Sequence, residues 1–172
     1  MCDLNFDLTN KIAFVTGGCG LIGSAVCEAL KKAGAKTFAL EAATENIRKS
    51  DIPIIEFDAA LSNDLDERLT KIETTHGETS IWVNCAYPKT KNWSQMRPRE
   101  IDPEEWAKNV DIQLNSQCLI SSAIAKRMAN RGGGSIITIG SIYGSVGADF
   151  QLYEGTNMLL PPAYSAIKGG IH

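Results

Sequence analysis

The sequence holds only two histidines, His76 and His172, and none of its five cysteines forms a Cys-x-x-Cys pair. Zinc sites need ligands at close, regular spacing, so no metal is expected. The odd set Cys2, Cys19, Cys27, Cys85 and Cys118 fits reduced thiols rather than a disulfide framework. Cys19 and Cys85 are expected to act as small apolar fillers. Positive charge is not in excess: 17 Lys and Arg against 20 Asp and Glu leave a net charge of -3. That balance argues against nucleic-acid and membrane-surface partners. No apolar run reaches the length of a membrane span. Residues Met1–Asp7 lack a basic region leading into an apolar stretch, so no secretory signal is visible and the cytoplasm is the expected location. Repeats, low-complexity tracts and interdomain linkers are also missing. The 172 residues, 44% hydrophobic and 22% charged, suit one α/β domain spanning residues 1–172.

The hydrophobic pattern alternates strand and helix. Buried-strand candidates are Ile12–Val15, Thr37–Leu40, Ile54–Phe57, Ile81–Asn84 and Ser135–Ile139. Helices are expected at Gly20–Ala33, Glu45–Lys49, Asp64–Thr75 and Pro103–Arg131. Short continuous apolar strands separated by helices give a doubly wound parallel sheet in three layers, the Rossmann architecture. Asp102-Pro103-Glu104-Glu105 reads as a helix start, with a cap, a proline in the first turn and acids near the positive end. Arg131-Gly132-Gly133-Gly134 reads as its stop. Residues 86–101 and 144–162 form two long loops, which in a compact domain are usually functional.

Two motifs carry chemistry. Ile12–Val15 runs into Thr16-Gly17-Gly18-Cys19-Gly20-Leu21-Ile22-Gly23. In that turn Gly17 permits a sharp bend, Gly20 lets a pyrophosphate approach the backbone, and Gly23 lets the helix pack close to the sheet. The helix start then offers free amides to phosphates. Glu41, 18 residues past Gly23, ends the second strand. An acid there accepts hydrogen bonds from ribose hydroxyls and repels a 2′-phosphate, which favours NAD over NADP. Ala42 and Ala43 supply no cation, although Arg48 lies near. The second motif is Tyr164 with Lys168, four residues apart and so on one helix face. An isolated phenol ionises near pH ~10, and a neighbouring ammonium favours the phenolate. Ser141, at the end of the fifth strand, is positioned to hydrogen-bond a substrate oxygen.

These residues resemble the short-chain dehydrogenase/reductase family over nearly the whole chain. Asn10–Gly17 looks like its opening strand, and Asp58, followed by Ala59, like the acid that contacts adenine. Asn84-Cys85-Ala86-Tyr87 is similar to its Asn-Asn-Ala-Gly turn. The resemblance implies that Tyr164 is the general acid/base, that Lys168 binds the nicotinamide ribose, and that Ser141 positions the carbonyl. It also places Ile139 beside the cofactor. The implied reaction is hydride transfer between NAD(P) and a carbonyl or secondary alcohol. The resemblance further implies a homo-oligomer built on the Pro103–Arg131 and Tyr164 helices.

Four departures qualify the likeness. Glycines 17, 20 and 23 follow the spacing of the extended, sugar-nucleotide branch, which keeps an epimerase or dehydratase as an alternative. Registering Trp106, Asp111 and Leu114 puts Gln113 where the family carries a catalytic asparagine; Asn115 falls on another face. Between Ser141 and Tyr164 lie 22 residues, an enlarged interval. The insertion, about 148–161 with Phe150, Tyr153, Glu154 and Met158, is expected to wall the substrate site. Ser141-Ile142-Tyr143-Gly144 and Tyr153-Glu154-Gly155-Thr156 look like a subgroup linked to bacterial surface-sugar and flagellin-glycan biosynthesis, which implies a sugar-like substrate. Finally, the sequence stops four residues after Lys168, where the family continues, so a C-terminal truncation is expected. An NAD-binding fragment without turnover is then a second alternative.

Overall fold

Alternate residues of each central strand are buried on opposite faces, and that period builds two cores around one sheet. In the computed structural model, residues 6–42, 51–97, 100–156 and 159–172 are described. The helix expected at Glu45–Lys49 lies outside them, as do Ala43, Arg48, Cys2 and Met158. The strands are β1 (Ile12–Thr16), β2 (Lys36–Glu41), β3 (Ile54–Glu56), β4 (Ile81–Asn84) and β5 (Ser135–Thr138). All pair in parallel, in the order β3-β2-β1-β4-β5. The helices are α1 (Leu21–Lys32), α2 (Leu65–His76), α3 (Pro103–Val110), α4 (Ser116–Ala129) and α5 (Pro162–Ile171).

Phe14, Phe38, Leu40 and Trp82 pack on one sheet face against Leu69 and Ile72 of α2 and Ile120 and Ile124 of α4. Phe14 stacks on Phe38 with ring centroids 5.3 Å apart. Ala13, Val15, Ala39 and Val83 face the other way, against Cys27 of α1. The doubly wound sheet is therefore as expected. The register aligns Thr16 with Leu40 and Asn84, and Asn84 with Thr138. The carboxyl ends of these strands form one rim, where open α/β sheets bind ligands.

Two expectations need correction. Ser135–Ile139 is not buried on both faces: β5 is the sheet edge among the described residues, and Ile137 is 47% exposed. The stretch expected as one helix from Pro103 is interrupted by a π-helical turn at Asp111–Asn115. There the Ser116 hydroxyl donates to the Ile112 carbonyl at 2.6 Å. A hydroxyl competing for a helix carbonyl favours such local distortion. The helix start itself is as read. Asp102 accepts from the backbone amides of Glu104 and Glu105.

One polar tie links the helices on the first face. Glu73 of α2 accepts from Arg127 Nη1 at 2.9 Å and from both terminal nitrogens of Arg131 at 2.7 Å. Its Oε1 also accepts the Thr79 amide. Burial alone raises the Glu73 carboxyl, but the hydrogen bonds from Arg131, Thr79 and Arg127 outweigh it and hold it down to about 2.

Candidate active site

The glycine turn is fixed by close backbone contact. Gly17 has φ 64°, a left-handed conformation that disfavours side chains, and a Cβ there would lie 2.8 Å from the Ala86 Cα. A Cβ on Gly23 would strike the Gly17 carbonyl, so α1 starts against the turn itself. Gly20 caps α1 without a side-chain bond, leaving the first-turn amides of Leu21, Ile22 and Gly23 without intrahelical partners. Leu21 is 93% exposed. Beyond Gly17, a Gly20 Cβ would meet nothing within contact distance. The turn is thus flush with β4 and open on its outer side.

Glu41 reaches this turn directly. Its Oε1 accepts the Cys19 amide at 2.7 Å, which sets a carboxylate beside the glycine loop. Asp58 is half-buried past β3 and accepts the Ala60 amide at 2.8 Å; Ala59 is buried in the first core. The Thr16 hydroxyl accepts the Ala86 amide, while the Thr16 carbonyl accepts that of Cys85. These bonds hold the β4 turn against the glycine turn. Asn84 sits differently. Its side chain accepts from Trp82 Nε1 at 2.7 Å and donates to Ser121 and Thr138, so it braces the sheet rather than the crevice.

The second half of the site is assembled by α5. Lys168 Nζ donates to the Ile139 carbonyl at 2.7 Å, bridging α5 to the segment just before Ser141. A Cβ on Gly144 would come within 2.7 Å of the Lys168 carbonyl, so helix and segment pack backbone to backbone. Lys168 is buried, and burial pulls its ammonium below the ordinary lysine range. Its Nζ lies 5.9 Å from the centre of the Tyr164 ring. Ser141 is half-buried and its Oγ accepts the Tyr143 amide at 3.2 Å. Ser141, Tyr164 and Lys168 therefore share one rim with the glycine turn.

Gln113 lies in the π turn and is 1% exposed. Its Nε2 donates to Asn109 Oδ1 at 3.3 Å, and Asn109 in turn donates to the Thr90 hydroxyl. Gln117, one turn on, donates to the Ala86 carbonyl at 3.0 Å. The carbonyl oxygens of Gln113 and Gln117 are buried without a hydrogen-bond partner among the described residues. Asn115 is exposed and bonds Asp111 instead, on another face as expected. Reasoning from sequence stopped at Gln113 and missed Asn109 and Gln117. Their four-residue spacing, three amides on one stripe, was the available signal.

The thiols are spectators in this geometry. Burial pushes Cys27 up to about 12, and burial also raises Cys19 and Cys85, which disfavours thiolate at neutral pH. Among the described residues no group of three His, Cys, Asp or Glu side chains is placed to hold a metal ion. Nor is any described helix long and apolar enough to cross a membrane.

The sequence profile of short chain dehydrogenases matches residues 11–172. The chain belongs to the short chain dehydrogenase family. Among its relatives is the post-translational flagellin modification protein A of Campylobacter coli, 29% identical over 175 residues, covering 96% of this chain and 68% of that protein. The 3-oxoacyl-acyl-carrier-protein reductase FabG of Escherichia coli is 34% identical over 175 residues, covering 98% of this chain and 65% of the relative. A short chain dehydrogenase from Leptospira borgpetersenii with bound NAD+ superposes with a TM-score of 0.80 at 26% identity, covering 99% of this chain and 65% of that one. Relative to these family members, the chain spans about two thirds of their length.

Proposed function

We propose that the protein is an NAD(P)-dependent oxidoreductase that moves a hydride between nicotinamide and a carbonyl or secondary alcohol of a sugar-like small molecule. The observation that supports this reading is the Lys168–Ile139 bond, which ties α5 to the carboxyl end of β5, on the sheet rim that also carries the glycine turn. The residues present fit a dinucleotide. The turn is flush at Gly17, the start of α1 is uncapped, and Glu41 stands beside the loop. Thr16, Gly17, Gly20, Leu21, Ile22 and Gly23 would cradle its phosphates, and Glu41 the adenosine ribose, which favours NAD over NADP. Asp58, Ala59, Cys85, Ala86 and Ile139 would hold the stretch between adenine and nicotinamide. Asn84 acts from behind, through the strand it braces.

A bound nicotinamide supplies or accepts the hydride. The chain's own groups handle the proton and the oxygen. Tyr164 Oη gives a proton to the carbonyl oxygen in reduction and takes one from the alcohol in oxidation. Lys168, a buried ammonium 5.9 Å from the centre of the Tyr164 ring, would hold the nicotinamide ribose. Ser141 hydrogen-bonds the substrate oxygen and orients it. Gln113, whose buried carbonyl oxygen has no hydrogen-bond partner among the described residues, would accept from a proton-carrying water.

The test pairs binding with turnover. NADH fluorescence titrated with the protein measures the cofactor; NADH-dependent reduction of cyclic ketones measures the chemistry. Tyr164→Phe is expected to lower kcat by about 10²–10⁴-fold while circular dichroism and NADH affinity stay those of the parent. Undiminished turnover in that variant removes Tyr164 from the mechanism.

A further inference from the structure

The chain has four tyrosines, and contacts join them as two pairs, Tyr87 with Tyr164 and Tyr143 with Tyr153. Tyr87, from the loop after β4, stands edge-on to Tyr164 with ring centroids 5.8 Å apart, and edge-on to Trp93 at 5.9 Å. Tyr143 lies in the short turn capped by Ser141, and Tyr153 in the insertion before α5. The Tyr153 hydroxyl donates to the Tyr143 hydroxyl at 3.4 Å, across ten residues of chain. Both rings are half-buried. The Tyr143 hydroxyl, then burial, raises the Tyr153 phenol above the ordinary tyrosine range. The turn that carries Tyr143 packs on the helix of Tyr164, where a Cβ on Gly144 would come within 2.7 Å of the Lys168 carbonyl.

Aromatic residues make up only 7% of the sequence. Phe14, Phe38 and Phe57 fill the sheet core, whereas all four tyrosines lie outside it. A phenol offers an apolar face and one hydroxyl that both donates and accepts. After the Tyr153–Tyr143 bond, the pair still has one proton to donate and lone pairs to accept with. A ring carrying several hydroxyls matches that surface, since its faces lie on aromatic carbon and its edge meets the phenol tips. An unbranched acyl chain would instead leave the hydroxyls unpaired, at a cost.

We propose that Tyr143 and Tyr153 form a subsite that selects a polyhydroxylated six-membered ring by its hydroxyls while Tyr164 faces the reacting carbon. The proposal rests on the hydride-transfer reading above and names the residues that choose the substrate.

A matched pair of probes tests it. Scyllo-inosose is cyclohexanone with a hydroxyl on each of the five remaining ring carbons, and both are assayed with NADH on the full chain. The parent is expected to favour scyllo-inosose in kcat/KM. Tyr143→Phe and Tyr153→Phe, which keep each ring, are each expected to reduce that preference about three- to tenfold, mainly through KM. An unchanged preference, with both ketones slowed alike, overturns the proposal, because a merely structural role acts on both.

Saturation-transfer NMR with myo-inositol separates the subsite from the reaction. If myo-inositol contacts weaken in both variants while neither ketone consumes NADH, the subsite stands and the hydride-transfer reading falls. Where both ketones are reduced but myo-inositol gives no contacts, the subsite falls and the reaction stands. No contacts and no reduction overturn both.

Discussion

At the scale of single residues, the site is a set of side chains each committed to one neighbour. Glu41 shows this best. Sequence position alone marks it as the residue that discriminates between the two dinucleotides. The structure adds that one of its oxygens already holds the Cys19 amide. Charge and hydrogen bonding can therefore be separated at this position. Glu41→Gln keeps an acceptor for the amide and removes the charge that would repel a 2′-phosphate. The ratio of NADH to NADPH affinity, read by fluorescence titration, is expected to fall by about tenfold, the effect of ~1.4 kcal/mol. An unchanged ratio shows that Glu41 serves only the loop. Asn84 teaches the opposite lesson. The family resemblance implies a cofactor contact; in the structure its side chain bonds Trp82 on its own strand and joins β4 to Ser121 and Thr138. A motif names a residue, but only the packing says which way its amide points.

At the scale of elements, β1, β2 and β4 were legible because they share one physical cause, an apolar run buried on both faces, and the edge strands β3 and β5 because turn residues bound their short apolar runs. The start of α3 was legible through Asp102 and Pro103. The π turn was not, since a one-residue change in winding leaves no periodic signature over five residues. Nor was the Glu73 tie, which joins residues 54 and 58 positions apart. That tie has a pH signature. The Glu73 carboxyl is held at about 2, below its usual value near 4.5. A depressed carboxyl stabilises the fold above its unfolded value and loses that contribution as pH falls through the folded one. The contribution is therefore complete above about pH 4.5 and gone near pH 2. Glu73→Gln removes the buried anion that two arginines share, leaving Arg127 only Asp66 and Arg131 only Glu78 at the surface, and is expected to cost about 2–3 kcal/mol at neutral pH, read by urea denaturation. The gap between variant and parent should close on acidification across that window. A gap that stays constant to low pH assigns the loss to packing.

At the scale of the whole molecule, the rim gathers residues from Thr16 to Lys168, and the sheet order that brings them together follows from alternating strands and helices. What could not be read was how α5 attaches. Ala163 and Ile167 are buried against Trp93 and Met96 in a small cluster separate from both sheet cores. The glycine turn, in contrast, springs from β1, whose Phe14 and Val15 are fully buried in those cores. The two parts of the site thus stand on foundations of unequal strength. Local opening follows such differences, so backbone amides of α5 are expected to exchange with deuterium at least about tenfold faster than those of β1. Equal protection would make the two a single cooperative unit. If the proposed roles hold, mild heat or denaturant should then abolish turnover before NADH binding, because α5 lets go before the glycine turn does.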